Sequence, residues 1–466
     1  VLSDRPDKTL NLGISPKNVQ RVTPLKAVIS HLSKPLVGDI TVPGDKSVSH
    51  RALMLGSIAV GETHVEGLLE GEDVLATAAA MRALGADISR DESGRWTIIG
   101  CGVGGLCEPE QILDMGNSGT AVRLLMGLVS TQSFATTFTG DASLNSRPME
   151  RVMGPLRQMG AKFTSRTGGR LPITVEGGDL IVPIEYELPV ASAQVKSAIL
   201  FAGLNAPGHT IVIEPQPTRD HSERMLRHFG AEVSSENLPD GSKKITLTGQ
   251  PELEGRDITV PADISSAAFP MVAALIVPGS NVLLRNVGIN PLRGGLIETL
   301  QEMGGKITLE NQRGEDGEPL ADLRIEASQL KGITVPASRA PSMIDEYPVL
   351  AVAAAVAEGT THMPGLGELR VKESDRLAAM ATGLAAAGVE VEETEDSLSV
   401  HGASAGIAGG VTIAADLDHR IAMAYSVLGM ISQNPITIDD GSPINTSFPG
   451  YIDLMNGLGA TIKTAD

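Results

Sequence analysis

Along the chain, the pattern of hydrophobic and polar positions repeats one short arrangement six times: a helix end, a glycine and the start of a strand. The copies are MRALGADI (81–88), LRQMGAKF (156–163), LRHFGAEV (226–233), LQEMGGKI (300–307), LAAAGVEV (384–391) and MNGLGATI (455–462). Their glycines, Gly85, Gly160, Gly230, Gly304, Gly388 and Gly459, recur at intervals of 70 to 84 residues. A helix C-terminus calls for a left-handed residue, a conformation that glycine takes without steric cost. One such copy is ordinary, whereas six at near-constant spacing mark a repeated unit.

Reading back from each glycine, every unit holds a strand, an apolar helix, a second strand and a shorter second helix. In the fourth unit these are DITVP (257–261), ISSAAFPMVAALIV (264–277), SNVLLRNV (280–287) and PLRGGLIETLQEM (291–303). The predicted unit is βαβαββ. A longer echo, DITVPGDKS (39–47) against DITVPADIS (257–265), divides the chain into two halves of three units. Pro43, Gly44 and Asp45, and likewise Pro261, Ala262 and Asp263, break strands just before helices begin. These predict two crossings between domains, near 43–46 and 261–264. The expected organisation is an N-terminal extension over 1–34, a discontinuous first domain of 35–45 plus 262–466, and a second domain of 46–261.

Composition narrows the function classes. The chain has 466 residues, of which 42% are hydrophobic and 20% charged, a globular balance. A net charge of -19 would repel a nucleic-acid backbone over most of the surface, so any anionic ligand must be held by locally placed basic residues. The longest apolar stretches, such as 349–357, are about half the roughly 20 residues a membrane span needs. Cys101 and Cys107 are the only cysteines and lack CxxC spacing, which fits a reducing cytosol. Residues 1–34 are polar, without the apolar core of a secretory signal. A soluble, cytoplasmic protein without nucleic-acid or membrane partners is expected.

Nearly all the polar motifs fall where a helix of a repeat should begin. First helices open with DKSVSHR (45–51), NSGTAVR (117–123), SAQVK (192–196), IDEYP (344–348) and DHR (418–420). Second helices open near NSRPMER (145–151), TRDHSER (218–224) and RVKESDR (370–376). Unpaired N–H groups and a partial positive charge at a helix start favour anions. Adding Lys46, Arg51, Arg123, Arg147, Lys196, Arg219, Lys372, Arg376 and Arg420 to such ends predicts an anion site despite the acidic total. Ser47, Asn117, Thr120 and Ser192, taken singly, also read as ordinary caps. The recurrence of basic residues at equivalent places favours ligand binding, and the fourth unit, ISSAAFP, lacks them and reads as structural. Acid and base candidates are Asp345, Glu346 and Glu373, the last beside Lys372; His419 reads equally as a contact, an acid or base, or an oriented structural group. GCGVGG (100–105) resembles a dinucleotide loop only superficially, since Pro109 follows and no helix opens on it. With no GxxxxGKT loop, no HExxH and no spaced Cys/His set, neither a cofactor nor a metal is expected.

GDKSVSHR (44–51), GNSGTAVR (116–123), NSRPMER, RVKESDR and DHRIAM (418–423), in this order, resemble the 5-enolpyruvylshikimate-3-phosphate synthase family over about residues 36–466. RDHSE (219–223) and SAQVK are similar to its bacterial class II, whose NPTR is here NPLR, with Leu292. The resemblance implies an inside-out α/β barrel of two domains with three βαβαββ units each. The implied reaction joins shikimate 3-phosphate and phosphoenolpyruvate and releases phosphate. By resemblance, Ser47, Arg51, Ser192, Ala193 through its backbone, Arg219, Asp345 and Lys372 hold shikimate 3-phosphate. Lys46, Arg147, Gln194, Arg376 and Arg420 would hold phosphoenolpyruvate, with Gly119 and Arg123 lining that pocket. The implied catalytic set is Glu373 as acid, Asp345 with Lys372 as base, and Lys46 with the arginines stabilising the departing phosphate. Domain closure around substrate and a monomeric state are expected. Glyphosate, which in this family competes with phosphoenolpyruvate, is an expected inhibitor: tolerant class II members carry Ala at the position of Gly119. Thr446 stands where class I members have Lys. The sister enolpyruvyl transferase acting on UDP-N-acetylglucosamine uses a loop cysteine that GDASLNSRP (140–148) lacks. A non-catalytic sugar-phosphate binder would not need Asp345, Lys372 and Glu373.

Overall fold

A computed structural model describes residues 26–178, 180–314, 318–403 and 405–465. Among these residues the strands form six sheets, five of four strands and one of three. The second unit shows the plan. Leu113–Asp114 runs parallel to Ala135–Thr139, with helix Gly119–Val129 between them in the chain. After helix Glu150–Gln158, the hairpin of Lys162–Arg166 and Arg170–Glu176 folds back, and its second strand pairs antiparallel with Ala135–Thr139. This is the predicted βαβαββ unit. All six repeat glycines take positive φ, from 90° to 121°, so the recurring helix end is set by backbone conformation.

Two sheets borrow a strand across the molecule. Val37–Ile40 pairs parallel with Asn281–Gly288 of the fourth unit, and Ile258–Thr259 pairs parallel with Val60–Glu66 of the first. Each crossing therefore leaves its strand in one half and sends its helix, Lys46–Ser57 or Ile264–Ile276, into the other. The crossings lie side by side. The Asp45 N–H donates to the Pro261 carbonyl at 2.7 Å and the Asp263 N–H to the Pro43 carbonyl at 2.9 Å. At Gly44 a β-carbon would sit 1.9 Å from the Gly67 carbonyl oxygen, so the crossing is too tight for any side chain.

One boundary needs correction. Val28–His31, expected within the extension, pairs antiparallel with both Ile436–Ile438 and Thr461–Thr464 in the sixth sheet. The sixth unit ends after a single strand, and the start of the chain supplies the missing one, with Val28 and Ser30 facing inward. The preceding part of the expected extension, through residue 25, lies outside the described residues.

The first helix of each unit is buried on nearly every face, and in Ile264–Ile276 and Tyr347–Ala355 every residue is buried. Helices apolar all round belong at the centre of a core. In one half, Ile264–Ile276, Tyr347–Ala355 and His419–Gly429 pack on one another; in the other, Lys46–Ser57 and Ala193–Gly203 flank Gly119–Val129. The sheets lie outside the helices, which is an inside-out α/β architecture. One core joins Val28, Leu36 and Val42 to side chains from Ala262 to Ile462, and the other runs from Val48 to Val260. On these cores rests the division we propose, 35–45 plus 262–466 and 46–261, with Val28–His31 joining the first. Among the described residues no helix is long and apolar enough to cross a membrane.

Candidate active site

A cleft of about 640 Å³ lies between the two cores and is lined from both. The helix starts singled out by sequence converge on it, and their caps are sorted. Asp45, Ser118, Ser192, Asp375 and Asp418 accept bonds from first-turn N–H groups, as helix caps do. Ser192 therefore caps as well as lining the cleft, whereas Ser47, Asn117 and Thr120 are not the caps of their helices and face the cleft.

From the 46–261 half come Lys46, Ser47, Gly119, Arg123, Arg147, Ser192, Ala193, Gln194 and Arg219. Arg123 Nη1 donates to Gln194 Oε1 at 2.8 Å, and Gln194 Nε2 donates to Thr120 Oγ1 at 2.9 Å. Arg147 Nη2 donates to Asn117 Oδ1 at 2.6 Å and to Ser143 Oγ at 3.1 Å. These partners are neutral, so neither guanidinium is ion-paired at the start of helix Gly119–Val129; Glu373, across the cleft, is the carboxylate that feels their charge. Burial, then the nearby Arg147, push the Arg123 guanidinium down to about 10. An anion placed there would relieve both effects. Lys46 is paired with Asp73, a first-turn acid of helix Glu72–Ala83 that sequence pattern alone does not distinguish from an ordinary dipole partner.

The other half contributes Asp345, Lys372, Glu373, His419 and Arg420. Arg219 Nη2 crosses the cleft to donate to Asp345 Oδ2 at 2.6 Å; Arg376 Nη1 donates to Asp345 Oδ1 at 3.2 Å, and Arg420 Nη1 to the Asp345 carbonyl at 3.1 Å. Arg376 also pairs with Glu373 at 2.6 Å and with Asp418 at 2.7 Å. Burial works against the Asp345 charge, but Arg420, Arg219, Lys372 and Arg376 outweigh it and hold the carboxyl well below its ordinary range. Glu373 follows the same balance: burial raises it, while Arg376 first, and Arg147 with it, hold it low. His419 is pushed down to about 3, by burial and then by Arg420, so it is neutral at pH 7. Lys372 lies 3.7 Å from Glu368, and Arg151 lies 4.0 Å from that same carboxylate from the opposite wall.

Three predicted cations stand behind the cleft surface. Arg51 is 3% exposed and donates to Ser222 Oγ, Ser197 Oγ and the Ser47 carbonyl at 2.8 to 2.9 Å. Arg376 is fully buried under its three carboxylates. Lys196 lies fully buried between Glu214 and Glu223, at 3.1 and 2.8 Å, and donates to the Thr218 carbonyl. It supports the loop carrying Arg219 and presents no charge to the cleft. Asp73, Arg151 and Arg293 are cleft-lining residues without a role in the sequence reading.

A two-core α/β protein of six repeats, with paired acids and several cations facing an inter-core cleft, defines a class that holds anionic substrates between two domains for proton-transfer chemistry. The family model described as EPSP synthase (3-phosphoshikimate 1-carboxyvinyltransferase) matches residues 31–455. The 3-phosphoshikimate 1-carboxyvinyltransferase of Paramagnetospirillum magneticum is 62% identical over 438 residues, covering 94% of this chain and 98% of its own. That of Rhodospirillum rubrum is 60% identical over 444 residues, with the same coverage. The structure of an EPSP synthase from Acinetobacter baumannii is similar at a TM-score of 0.85 and 50% identity, covering 95% of this chain and all of that one. The chain belongs to the EPSP synthase family.

Proposed function

We propose that the cleft transfers the enolpyruvyl group of phosphoenolpyruvate to the 5-hydroxyl of shikimate 3-phosphate, releasing phosphate, and that the motif residues divide the work between its walls. The observation carrying this assignment is the meeting of two acids, Asp345 and Glu373, on one guanidinium, Arg376, opposite the neutral-partnered Arg123 and Arg147. Phosphoenolpyruvate sits against Lys46, Arg123, Arg147, Gln194 and Arg420, beside Gly119. Shikimate 3-phosphate lies towards Ser47, Ser192, the Ala193 backbone, Arg219, Asp345 and Lys372. Arg51 and Arg376 serve from behind the wall, through Ser47 and through the acids respectively.

In the ligand-free protein Glu373 is ionised, so it must gain a proton before it can give one. Phosphoenolpyruvate supplies the condition: its negative groups engage Arg147 and offset Arg376, removing the charge that holds Glu373 low. Glu373, having taken a proton from solvent, then gives it to the methylene carbon, and the substrate carbon bearing the phosphate becomes cationic. Asp345, assisted by Lys372, takes the proton of the 5-hydroxyl as its oxygen attacks that carbon, giving a tetrahedral intermediate. Glu373, left as a carboxylate, takes a proton back from the new methyl group as phosphate departs, its charge met by Lys46 and the arginines, which completes the transfer. Closure of the two halves would exclude water from the cation. Neither Cys101 nor Cys107 lines the cleft, which removes the loop-cysteine feature of the sister transferase. Phosphate release measured with both substrates, and with each alone, tests the assignment; release that does not require both would overturn it. We further propose that the protein is a monomer and that glyphosate competes with phosphoenolpyruvate.

A further inference from the structure

The turn at residues 290–293 carries none of the roles assigned above, yet its two polar side chains are buried: Asn290 is 2% exposed and Arg293 3%. The turn closes on itself, the Arg293 N–H donating to the Asn290 carbonyl at 2.7 Å and the Leu292 N–H to Asn290 Oδ1 at 2.9 Å. From this fixed base the side chains reach in different directions. Asn290 Nδ2 donates to Asp220 Oδ1 at 2.7 Å and to Glu318 Oε2 at 3.1 Å, while His221 Nδ1 bonds Glu318 Oε1 at 2.7 Å. Arg293 Nη2 donates to Ser265 Oγ at 2.6 Å and to Asp263 Oδ1 at 3.4 Å, and its Nη1 donates to Asp45 Oδ2 at 3.3 Å. Glu346 lies 3.8 Å from the same guanidinium and accepts a bond from Ser265 Oγ.

The partners explain what the turn does. Asp45 and Asp263 stand on the two crossings between the halves, and Asp263 Oδ2 also accepts from the Lys46 N–H at 3.3 Å. Asp220 follows Arg219 in the chain, and Glu346 follows Asp345. Arg219 and Asp345 are the pair that meets across the cleft at 2.6 Å. We propose that Asn290 and Arg293 are positioning residues for this pair: the turn grips the neighbour of each member and the two crossings at once, fixing the spacing at which the walls face each other. Among the described residues, Arg293 is the only ion-pair partner of Asp45 and of Asp263. Without it, two buried carboxylates face each other where the halves join, with Glu346 beside them, and separation of the crossings becomes the way to relieve their repulsion.

The inference rests on the substrate assignment given above, so wild-type phosphate release with both substrates is measured first; inactivity there would overturn that assignment, whereas the variants test the positioning roles of Asn290 and Arg293. With the full-length active enzyme, Arg293→Gln is expected to lower kcat about a hundredfold, and adding Asp263→Asn, which removes the unpaired charge, to restore at least about tenfold of the loss. Asn290→Ala is expected to raise the KM for shikimate 3-phosphate about tenfold and leave that for phosphoenolpyruvate within about twofold, because the arm it removes leads to Arg219. Arg293→Lys keeps the charge but cannot fork between two aspartates, and a kcat loss of about tenfold is expected even if the Gln variant fails to fold. Wild-type kcat in either Arg293 variant, purely additive losses in the double variant, or equal shifts of both KM values in Asn290→Ala would each overturn the proposal.

Discussion

The two walls of the cleft use arginine in opposite ways. On the wall from 46–261, Arg123 and Arg147 are held by amide and hydroxyl groups, so neither is ion-paired and their charge faces the cavity, where Glu373 feels it. On the wall from 262–466, Arg376 is saturated by Asp345, Glu373 and Asp418, and its charge goes into fixing acids rather than into the cavity. Arg147 and Arg376 stand at the starts of second helices in their units, yet the roles we propose for them differ: an anion receptor on one side and a scaffold for proton-transfer groups on the other. The difference lies in the partners: neutral groups orient a guanidinium without cancelling it, while carboxylates cancel it and are themselves held ionised until a ligand offsets the guanidinium.

The largest test of this contrast is removal of the scaffold. Arg376→Gln leaves Asp418, fully buried, without its ion-pair partner, and breaking a buried pair by removing one member costs about 3–5 kcal/mol. We expect a marked fall in the midpoint of denaturant unfolding together with loss of turnover. Unchanged stability would show that the acids do not depend on Arg376. Next in size are the acids. Asp345→Asn and Glu373→Gln keep the shapes, so substrate binding should persist while kcat falls by roughly a hundredfold or more, about 2.7 kcal/mol of barrier. Losses under about tenfold would remove both from the proton-transfer roles.

Smaller again is the effect on the receptor wall. Arg147→Gln breaks no ion pair, so unfolding should stay close to wild type, while the KM for phosphoenolpyruvate rises about tenfold to a hundredfold, the worth of one charge-assisted bond of about 1.5–3 kcal/mol. A large stability loss with an unchanged KM would make Arg147 a scaffold like Arg376 and erase the contrast.

What sequence reading captured and what escaped it divide by the range of the interactions. The six glycine-marked helix ends, the two crossings and the helix-start motifs are local features, visible because each is set within a few residues. Val28–His31 escaped because its partners, Ile436–Ile438 and Thr461–Thr464, lie at the opposite end of the chain, and a four-residue segment within a polar stretch carries little periodicity. Lys46 and Lys196 look alike in sequence, both near the start of a first helix, yet one lines the cleft and the other is enclosed by Glu214 and Glu223. That outcome depends on which face of each helix meets a neighbouring element, which the spacing of one motif does not encode. Arg51 and Arg376 are ligand contacts by resemblance, and in the ligand-free protein both lie one layer behind the cleft surface. Asp73 and Arg293 escaped because each gains its meaning only from a partner elsewhere in the chain, Lys46 for the first and the two crossing aspartates for the second.

The finest test of the receptor wall is a single methyl group. A β-carbon on Gly119 would lie 2.9 Å from Arg123 Nη1, 3.2 Å from Arg147 Nη1 and 3.7 Å from Leu144 Cδ1. The first two contacts are too close to stand, but both are with the ends of long side chains, so the helix need not move and the guanidiniums shift by a few tenths of an ångström. That shift takes room from the place where an anion would meet both arginines, and a longer inhibitor loses more of it than the shorter substrate. With Gly119 the room is open, so the wild-type enzyme should be inhibited by glyphosate even though Thr446 offers no cation. Gly119→Ala should raise the glyphosate inhibition constant about tenfold or more beyond any rise in the KM for phosphoenolpyruvate, with little change in unfolding. Equal shifts in the two constants would mean that the methyl disturbs the arginines for both ligands alike, and a wild type indifferent to millimolar glyphosate would mean that Gly119 is not what decides access.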